Sequence, residues 1–181
     1  MYEDLIIAGF GGQGIIFAGK LLSYAGLREG KEVTYFPAYG AEMRGGTANC
    51  TVVVSDSPIS SPIVSRPKNA IMMSYPSYVK FLPRISPEGR AVVNSSLVSD
   101  NLGRENVEVI RIPANEIAEE IGSSRIANMV ILGAWVKKSG ILSLESLVLS
   151  LGQVTSTSNK DLLSLNEEAL RRGSHFVSSA G

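Results

Sequence analysis

Leu5-Ile6-Ile7-Ala8-Gly9-Phe10-Gly11-Gly12-Gln13-Gly14, followed at once by the apolar-rich run Ile15 to Ala25, decides how the chain is read. An apolar segment, four glycines and then a helical pattern predict a buried strand that turns tightly into a helix, whose free backbone N–H groups face whatever lies above the turn. Such a place suits an anion. Gly9, Gly11 and Gly14 fit the spacing of the dinucleotide fingerprint, in which glycines permit the tight turn, close backbone approach and close helix–strand packing. The same glycines also have a reading without a ligand, in which they only let the helix lie close on the strand.

Two tests narrow the choice. Gly14 to Gly19-Lys20 satisfies the glycine and lysine spacing of a P-loop, but Leu21 follows where a magnesium-binding hydroxyl is required, and the four intervening residues are apolar. That stretch belongs inside a helix, so nucleoside triphosphate hydrolysis is set aside. The dinucleotide motif in turn wants an acid near the end of the second strand, roughly 20 residues beyond the glycines. Tyr35, Phe36 and Pro37 occupy that place, and Glu32 lies at the wrong end of the strand. A nicotinamide dinucleotide is therefore disfavoured despite the glycines.

Composition sets the outer bounds. At 181 residues, 44% hydrophobic and 19% charged, the chain suits one core, expected over residues 1–174 with a tail at 175–181. Lys+Arg and Asp+Glu both total 17, which is not the electrostatic footprint of a nucleic-acid binder. Cys50 is the only cysteine, so an intrachain disulfide and four-cysteine cluster ligation are excluded. The acidic start Met1-Tyr2-Glu3-Asp4 and the lack of a membrane-length apolar run predict a cytoplasmic protein.

Strands and helices then alternate. Helix Ile15–Arg28 stops at Gly30, and Glu32–Pro37 is a strand expected to pair in parallel with the first. Next comes a loop of unusual composition, Ala38-Tyr39-Gly40-Ala41-Glu42-Met43-Arg44-Gly45-Gly46, at a strand's C-terminal end, where open α/β sheets carry ligands. Arg44, flanked by glycines, can meet a carboxylate or phosphate with both arms of its guanidinium; equally, it can pair with Glu42 or brace a subunit contact. Thr47–Val54 is a strand, and the turn residues Ser55 to Pro58 suggest an antiparallel hairpin with Ile59–Val64.

Cys50 falls within that strand and is expected to be buried and inert. Short strands follow at Ala70–Met73 and Ala91–Val93, separated by a brief helix from Tyr75 to Leu82, and Asn94-Ser95-Ser96 makes the second strand's end polar. After strand Val107–Ile112 and helix Ala114–Ile121, the segment Arg125–Lys138 is apolar around nearly its whole circumference and must be buried on several sides, with Asn128 needing hydrogen-bond partners inside it. Ser143 caps a helix over Leu144–Leu151, and a last helix over Asn159–Arg172 is expected to stop at Gly173, leaving His175 in a solvated tail. This alternation predicts an α/β fold: a single three-layer α/β/α domain with a Rossmann-like, mostly parallel but mixed sheet and a local antiparallel hairpin.

Several of these stretches together carry a family likeness. Gly9 to Gly14, Tyr39 to Gly46, Ser61-Pro62, Asn94-Ser95-Ser96, Ala127-Asn128-Met129 and Leu132-Gly133-Ala134 resemble the gamma subunit of 2-oxoacid:ferredoxin oxidoreductases, nearly end to end. Glu42 to Cys50 looks most like the 2-oxoglutarate branch; the pyruvate, branched-chain and indolepyruvate enzymes have similar subunits. Ala41, where a proline is common, and Lys68-Asn69, where an aspartate often precedes the strand, depart from the family pattern.

The resemblance implies a CoA-acylating oxidative decarboxylation of a 2-oxoacid, with electrons passing through iron–sulfur clusters to ferredoxin and thiamine diphosphate carrying the chemistry. It also implies alpha, beta and in some cases delta subunits as partners, which hold the thiamine diphosphate, its magnesium and the clusters. The residues of this chain offer no Gly-Asp-Gly with a downstream asparagine, no metal site and no nucleophile–base pair, so no catalytic residue is assigned. The candidate binding residues are Gly9, Gly11, Gly12, Gln13 and Gly14, the loop residues Tyr39, Glu42, Arg44, Gly45 and Gly46, and Asn94, Ser95 and Ser96. They are expected to line a shared cleft for coenzyme A phosphates or to brace the assembly. The competing readings are a free-standing flavin- or nicotinamide-binding reductase and a purely structural interaction subunit.

Overall fold

The computed structural model describes residues 1–39, 47–99, 103–155 and 160–179. Strands β1 (Tyr2–Phe10), β2 (Glu32–Tyr39), β3 (Thr47–Ser55), β4 (Asn69–Met72), β5 (Gly89–Asn94) and β6 (Val107–Ile112) form one sheet in the order β2-β3-β1-β4-β5-β6. β1, β4, β5 and β6 run parallel, while β3 is antiparallel to both β1 and β2. Asp4 to Gly9 are buried without interruption, as expected of a strand covered on both faces.

This corrects two expectations. β2 is not the neighbour of β1, because β3 returns between them. The hairpin joins β3 to β2 and not to residues 59–64, which form no strand. Pro37 supplies a physical reason: with no backbone N–H it leaves one ladder position without a donor, a gap tolerated at a sheet's edge and not between two paired strands.

Helices α1 (Ile15–Arg28), α3 (Ala114–Ile121), α4 (Ala127–Ser139), α5 (Leu144–Val154) and α6 (Lys160–Ser179) build the main core on one side of the sheet. Leu5, Ile7, Ile71 and Val92 point to that side, and Ile6, Ala8, Ala70 and Ala91 point to the other. There the helical cover is α2 (Tyr75–Phe81) and the 3-10 turn Leu82–Arg84, packed through Tyr78, Phe81 and Leu82. α1 lies close on β2 and β3 because Gly19 and Gly26 carry no Cβ: one on Gly26 would come within 2.7 Å of Val33 in β2, and one on Gly19 would strike the Cys50 sulfur in β3. Gly19 thus serves helix packing, in keeping with rejection of the P-loop reading.

α4 is buried from Ala127 through Val136, enclosed by β4 and β5 on one side and by α3, α5 and α6 on the others. Its burial is supplied by its own chain. α6 corrects a further expectation, since it does not stop at Gly173 but continues to Ser179, with His175 exposed on the helix and not in a tail. Gly173 is there for close approach: a Cβ on it would fall on the Val130 carbonyl, and one on Gly133 would fall on that of Leu170. These paired glycines let α4 and α6 cross in near backbone contact.

Candidate functional site

Beyond β1 the chain changes sheet halves. α1 leads to the β2 edge, whereas β4, β5 and β6 fill the opposite half, so the ends of β1 and β4 flank the topological switch point where open α/β sheets hold ligands. A cleft of about 190 Å3 opens there, bordered by Gly12, Gln13, Met73, Asn115, Arg125 and Asn128.

The glycine turn is built as its residues require. Gly12 and Gly14 have φ of 96° and 71°, values that favour glycine. A Cβ on Gly9 would come within 2.9 Å of both Ile15 and Met73, which is the close packing expected of the first glycine. Gln13 then straddles the switch point: its Oε1 accepts from Phe10 N–H at 2.7 Å and its Nε2 donates to the Met73 carbonyl at 3.0 Å. Gly14 precedes α1 without a side-chain cap, and its carbonyl accepts from Asn128 Nδ2 at 3.0 Å.

Three helices begin at this cleft. Gly12 and Gln13 lead into α1, Asn115 is in the first turn of α3, and Asn128 is in the first turn of α4. Each start presents the positive end of a helix dipole, although the Asn115 N–H is taken by Ser96 Oγ and the Ala127 N–H by the Ser124 carbonyl. Arg125 is the charged residue of the lining. Asn128 is 5% exposed, and with its Nδ2 committed to Gly14 its Oδ1 is a buried acceptor with no partner among the described residues. The cleft offers anion stabilisation and one unanswered acceptor, and its lining holds no carboxylate, thiol or imidazole.

The predicted residues divide between the cleft, its support and elsewhere. Gly12 and Gln13 line the cleft, with Gly11 and Gly14 in the same turn and Gly9 near the end of β1. Asn94 and Ser96 serve α3: Asn94 Nδ2 donates to Asn115 Oδ1 at 2.8 Å, and Ser96 Oγ accepts from Asn115 N–H at 3.0 Å and bonds the Glu116 carboxylate. They therefore support the cleft through Asn115 and do not line it. Ser95 donates its backbone N–H to the Ile112 carbonyl at 2.8 Å. Tyr39 ends β2, with β3 between that strand and β1, while Glu42, Arg44, Gly45 and Gly46 lie outside the described residues.

Sequence reasoning missed Asn115 and Arg125 and treated Asn128 only as a residue in need of partners. The polar residue near each helix start was the available signal. Cys50 is buried beneath α1, and burial pushes its thiol up to about 12. A thiol so held does not suit iron–sulfur ligation, and groups of three His, Cys, Asp or Glu placed to bind a metal are absent among the described residues.

Residues 4–176 match the family model described as pyruvate ferredoxin/flavodoxin oxidoreductase. The chain belongs to this family. It is 39% identical over 150 residues to 2-oxoglutarate synthase subunit KorC of Methanocaldococcus jannaschii, covering 81% of this chain and 80% of that one. It is 41% identical over 127 residues to ketoisovalerate oxidoreductase subunit VorA of Methanothermobacter marburgensis, covering 70% of this chain and 26% of VorA, so it spans about a quarter of that relative. Among solved structures, the keto/oxoacid ferredoxin oxidoreductase gamma subunit from Geobacter sulfurreducens is 26% identical, with a TM-score of 0.86 over 99% of this chain and 98% of that one. The 2-oxoglutarate:ferredoxin oxidoreductase of Magnetococcus marinus, solved with 2-oxoglutarate, coenzyme A and succinyl-CoA, is also 26% identical, with a TM-score of 0.87 over 98% of this chain and 31% of that one. In family terms the fold is that of the gamma subunit, built here around the cleft at the switch point. Among the described residues no helix is long and apolar enough to cross a membrane.

Proposed function

We propose that this chain works as the gamma subunit of a 2-oxoacid:ferredoxin oxidoreductase acting on 2-oxoglutarate, and that its glycine-turn cleft holds a phosphate group of coenzyme A. Thiamine diphosphate, magnesium and iron–sulfur clusters then sit in alpha, beta or delta subunits, and ferredoxin takes the electrons from the complex. The observation that carries the cleft assignment is the meeting of three helix starts with Arg125 at the end of β1. Phosphate oxygens suit backbone N–H groups and a guanidinium together. An amide or hydroxyl donor elsewhere on the ligand would answer the buried Asn128 Oδ1. The preference for 2-oxoglutarate rests on the KorC likeness over four-fifths of both chains, against a quarter of VorA.

Two variants in the assembled enzyme test this reading. Arg125→Gln, and Arg44→Gln between β2 and β3 in sequence, should each raise KM for coenzyme A by about tenfold or more, the cost of a lost charge-assisted contact, with KM for 2-oxoglutarate unchanged. An unchanged coenzyme A KM in both would overturn the cleft assignment. Purification of the complex without thiamine diphosphate or iron–sulfur subunits would overturn the family role as applied here.

One observation favours a second reading, that of a structural subunit without a ligand. Gln13 already occupies the Phe10 N–H and the Met73 carbonyl, so part of the switch point is satisfied from within the chain. Full coenzyme A kinetics combined with failed assembly in Gln13 variants would favour it. A free-standing dinucleotide reductase is disfavoured, because the strand beside β1 on the α1 side is the antiparallel β3, and an acid at the end of an adjoining parallel strand is what the ribose needs.

A further inference from the structure

The two sides of the sheet are unequally covered: five helices on one, and α2 with its following turn on the other. Over β2 and β3 the thin side is open as a groove of about 230 Å3, walled by Phe36 and Thr51 from the sheet, Ile63 from the connection to β4, and Lys80, Phe81 and Arg84 from α2 and its turn. Phe36 is 50% exposed and Ile63 73%. Large apolar side chains standing so open around a concavity mark an interaction surface more than scattered exposed residues do.

The charged residues of the groove's lining are Lys80 and Arg84, and among the described residues the lining holds no carboxylate. Lys80 lies 5.1 Å from the Phe81 ring centre, and Arg84 donates to the Ser65 carbonyl at 3.1 Å. Among the described residues neither of these two cations meets a carboxylate, so the described part of the groove combines apolar walls with two positive charges. Strand addition along the adjacent edge is hindered by Pro37, which points to docking on the face and not on the edge.

We propose that this groove seats a segment of a partner subunit, one that presents apolar side chains to Phe36 and Ile63 and at least one carboxylate to Lys80 and Arg84. The inference rests on the reading that the chain works inside a multisubunit oxidoreductase. Apolar contact supplies the buried centre of such an interface, and the charge pairs fix its register and partner choice.

The wild-type assembled complex and the isolated chain are compared by hydrogen exchange, which needs no mutation. Backbone amides over residues 33–38, 61–65 and 79–85 should exchange at least about tenfold more slowly in the complex. Ile63 replaced by a photo-crosslinking phenylalanine derivative in the co-expressed complex should yield a crosslink to an acidic, apolar peptide of another subunit. K80E/R84E should reduce co-purification of that subunit at least about tenfold while the isolated variant melts as the wild type does. Equal exchange in complex and free chain, or a crosslink to a second copy of this chain, to lipid or to nucleic acid, overturns the proposal. Failure of the underlying reading is distinguishable, because the wild-type chain would then bring down no oxidoreductase subunits at all.

Discussion

Asn128 Nδ2 donates to the Gly14 carbonyl at 3.0 Å across 114 residues of sequence, tying the start of α4 to the turn that opens α1. Gly14 has φ of 71°, and a Cβ placed on it would come within 2.9 Å of the Asn128 side-chain carbon. The two residues therefore constrain each other through both a hydrogen bond and a steric limit.

A double-mutant cycle reads this coupling. Asn128→Ala should cost about 0.5–1.5 kcal/mol of unfolding free energy, the loss of one hydrogen bond at a carbonyl that still accepts from Ala18 N–H. Gly14→Ala should cost about 2–4 kcal/mol, from left-handed backbone strain and the collision with Asn128. The double variant should lose about 1 kcal/mol less than the sum, since truncating Asn128 removes the collision. Urea unfolding measures all three, and strict additivity would contradict the geometry.

Asp4 gives a pH dependence. Its carboxyl is held above the ordinary 3.8, chiefly by burial and also by Glu3, against the lowering effect of the Lys68 N–H, which it accepts at 2.6 Å, and of the Lys68 charge. A folded-state value raised above the unfolded one means that the protonated form suits the fold, so this contribution is present below the unfolded value and fades as pH rises through the folded one. Asp4→Asn keeps an acceptor for Lys68 and never ionises. It should raise Tm relative to wild type at pH 7, and the difference should vanish at pH 3. A gain of equal size at both pH values would sink this account.

The helix glycines separate into two kinds. Gly173→Ala should destabilise by about 3 kcal/mol or more, or abolish soluble expression, because the new methyl meets the Val130 backbone. Gly152, exposed in α5 with nothing within 4 Å of a built Cβ, should on conversion to alanine stabilise by about 0.5–1 kcal/mol. Thermal melts of the two variants should move in opposite directions.

Cys50 should be unreactive toward Ellman's reagent at pH 8 in the native chain and should titrate as one thiol per chain in denaturant. Burial pushes its pKa up to about 12 and denies the reagent access. Rapid native labelling would contradict its placement beneath α1.

The elements legible in the sequence were those whose signal is local. The β1 run, the Gly30 and Gly140 helix ends, the Ser143 cap and the α3 span at Ala114–Ile121 all follow from propensity and capping. What escaped depended on long-range pairing. Insertion of β3 between β1 and β2 satisfies the edge requirement of Pro37, which was visible, but nothing local specified which strand would fill the gap. Gly173 resembled a helix stop because glycine at a helix end and glycine at a helix crossing look alike without the partner helix. A polar strand end such as Asn94-Ser95-Ser96 has the same composition whether it greets a ligand or caps the next helix, and only the folded chain shows Ser96 accepting from the Asn115 N–H. Asn115 and Arg125 join the cleft only once α3 and the turn before α4 are folded against β1.

The crossing of α4 and α6 also sets an order of events during synthesis. A ribosome that has released α4 but not α6 holds a helix whose residues Ala127 through Val136 all require cover, with Trp135 among them, while the element that completes that cover is still in the exit tunnel. The nascent chain must carry this sticky intermediate for the time needed to translate residues 140–179. Its exposure to chaperones and to premature association is therefore decided by how soon α6 emerges, and truncation within α6 should be detected by the cell as a folding failure before any question of activity arises.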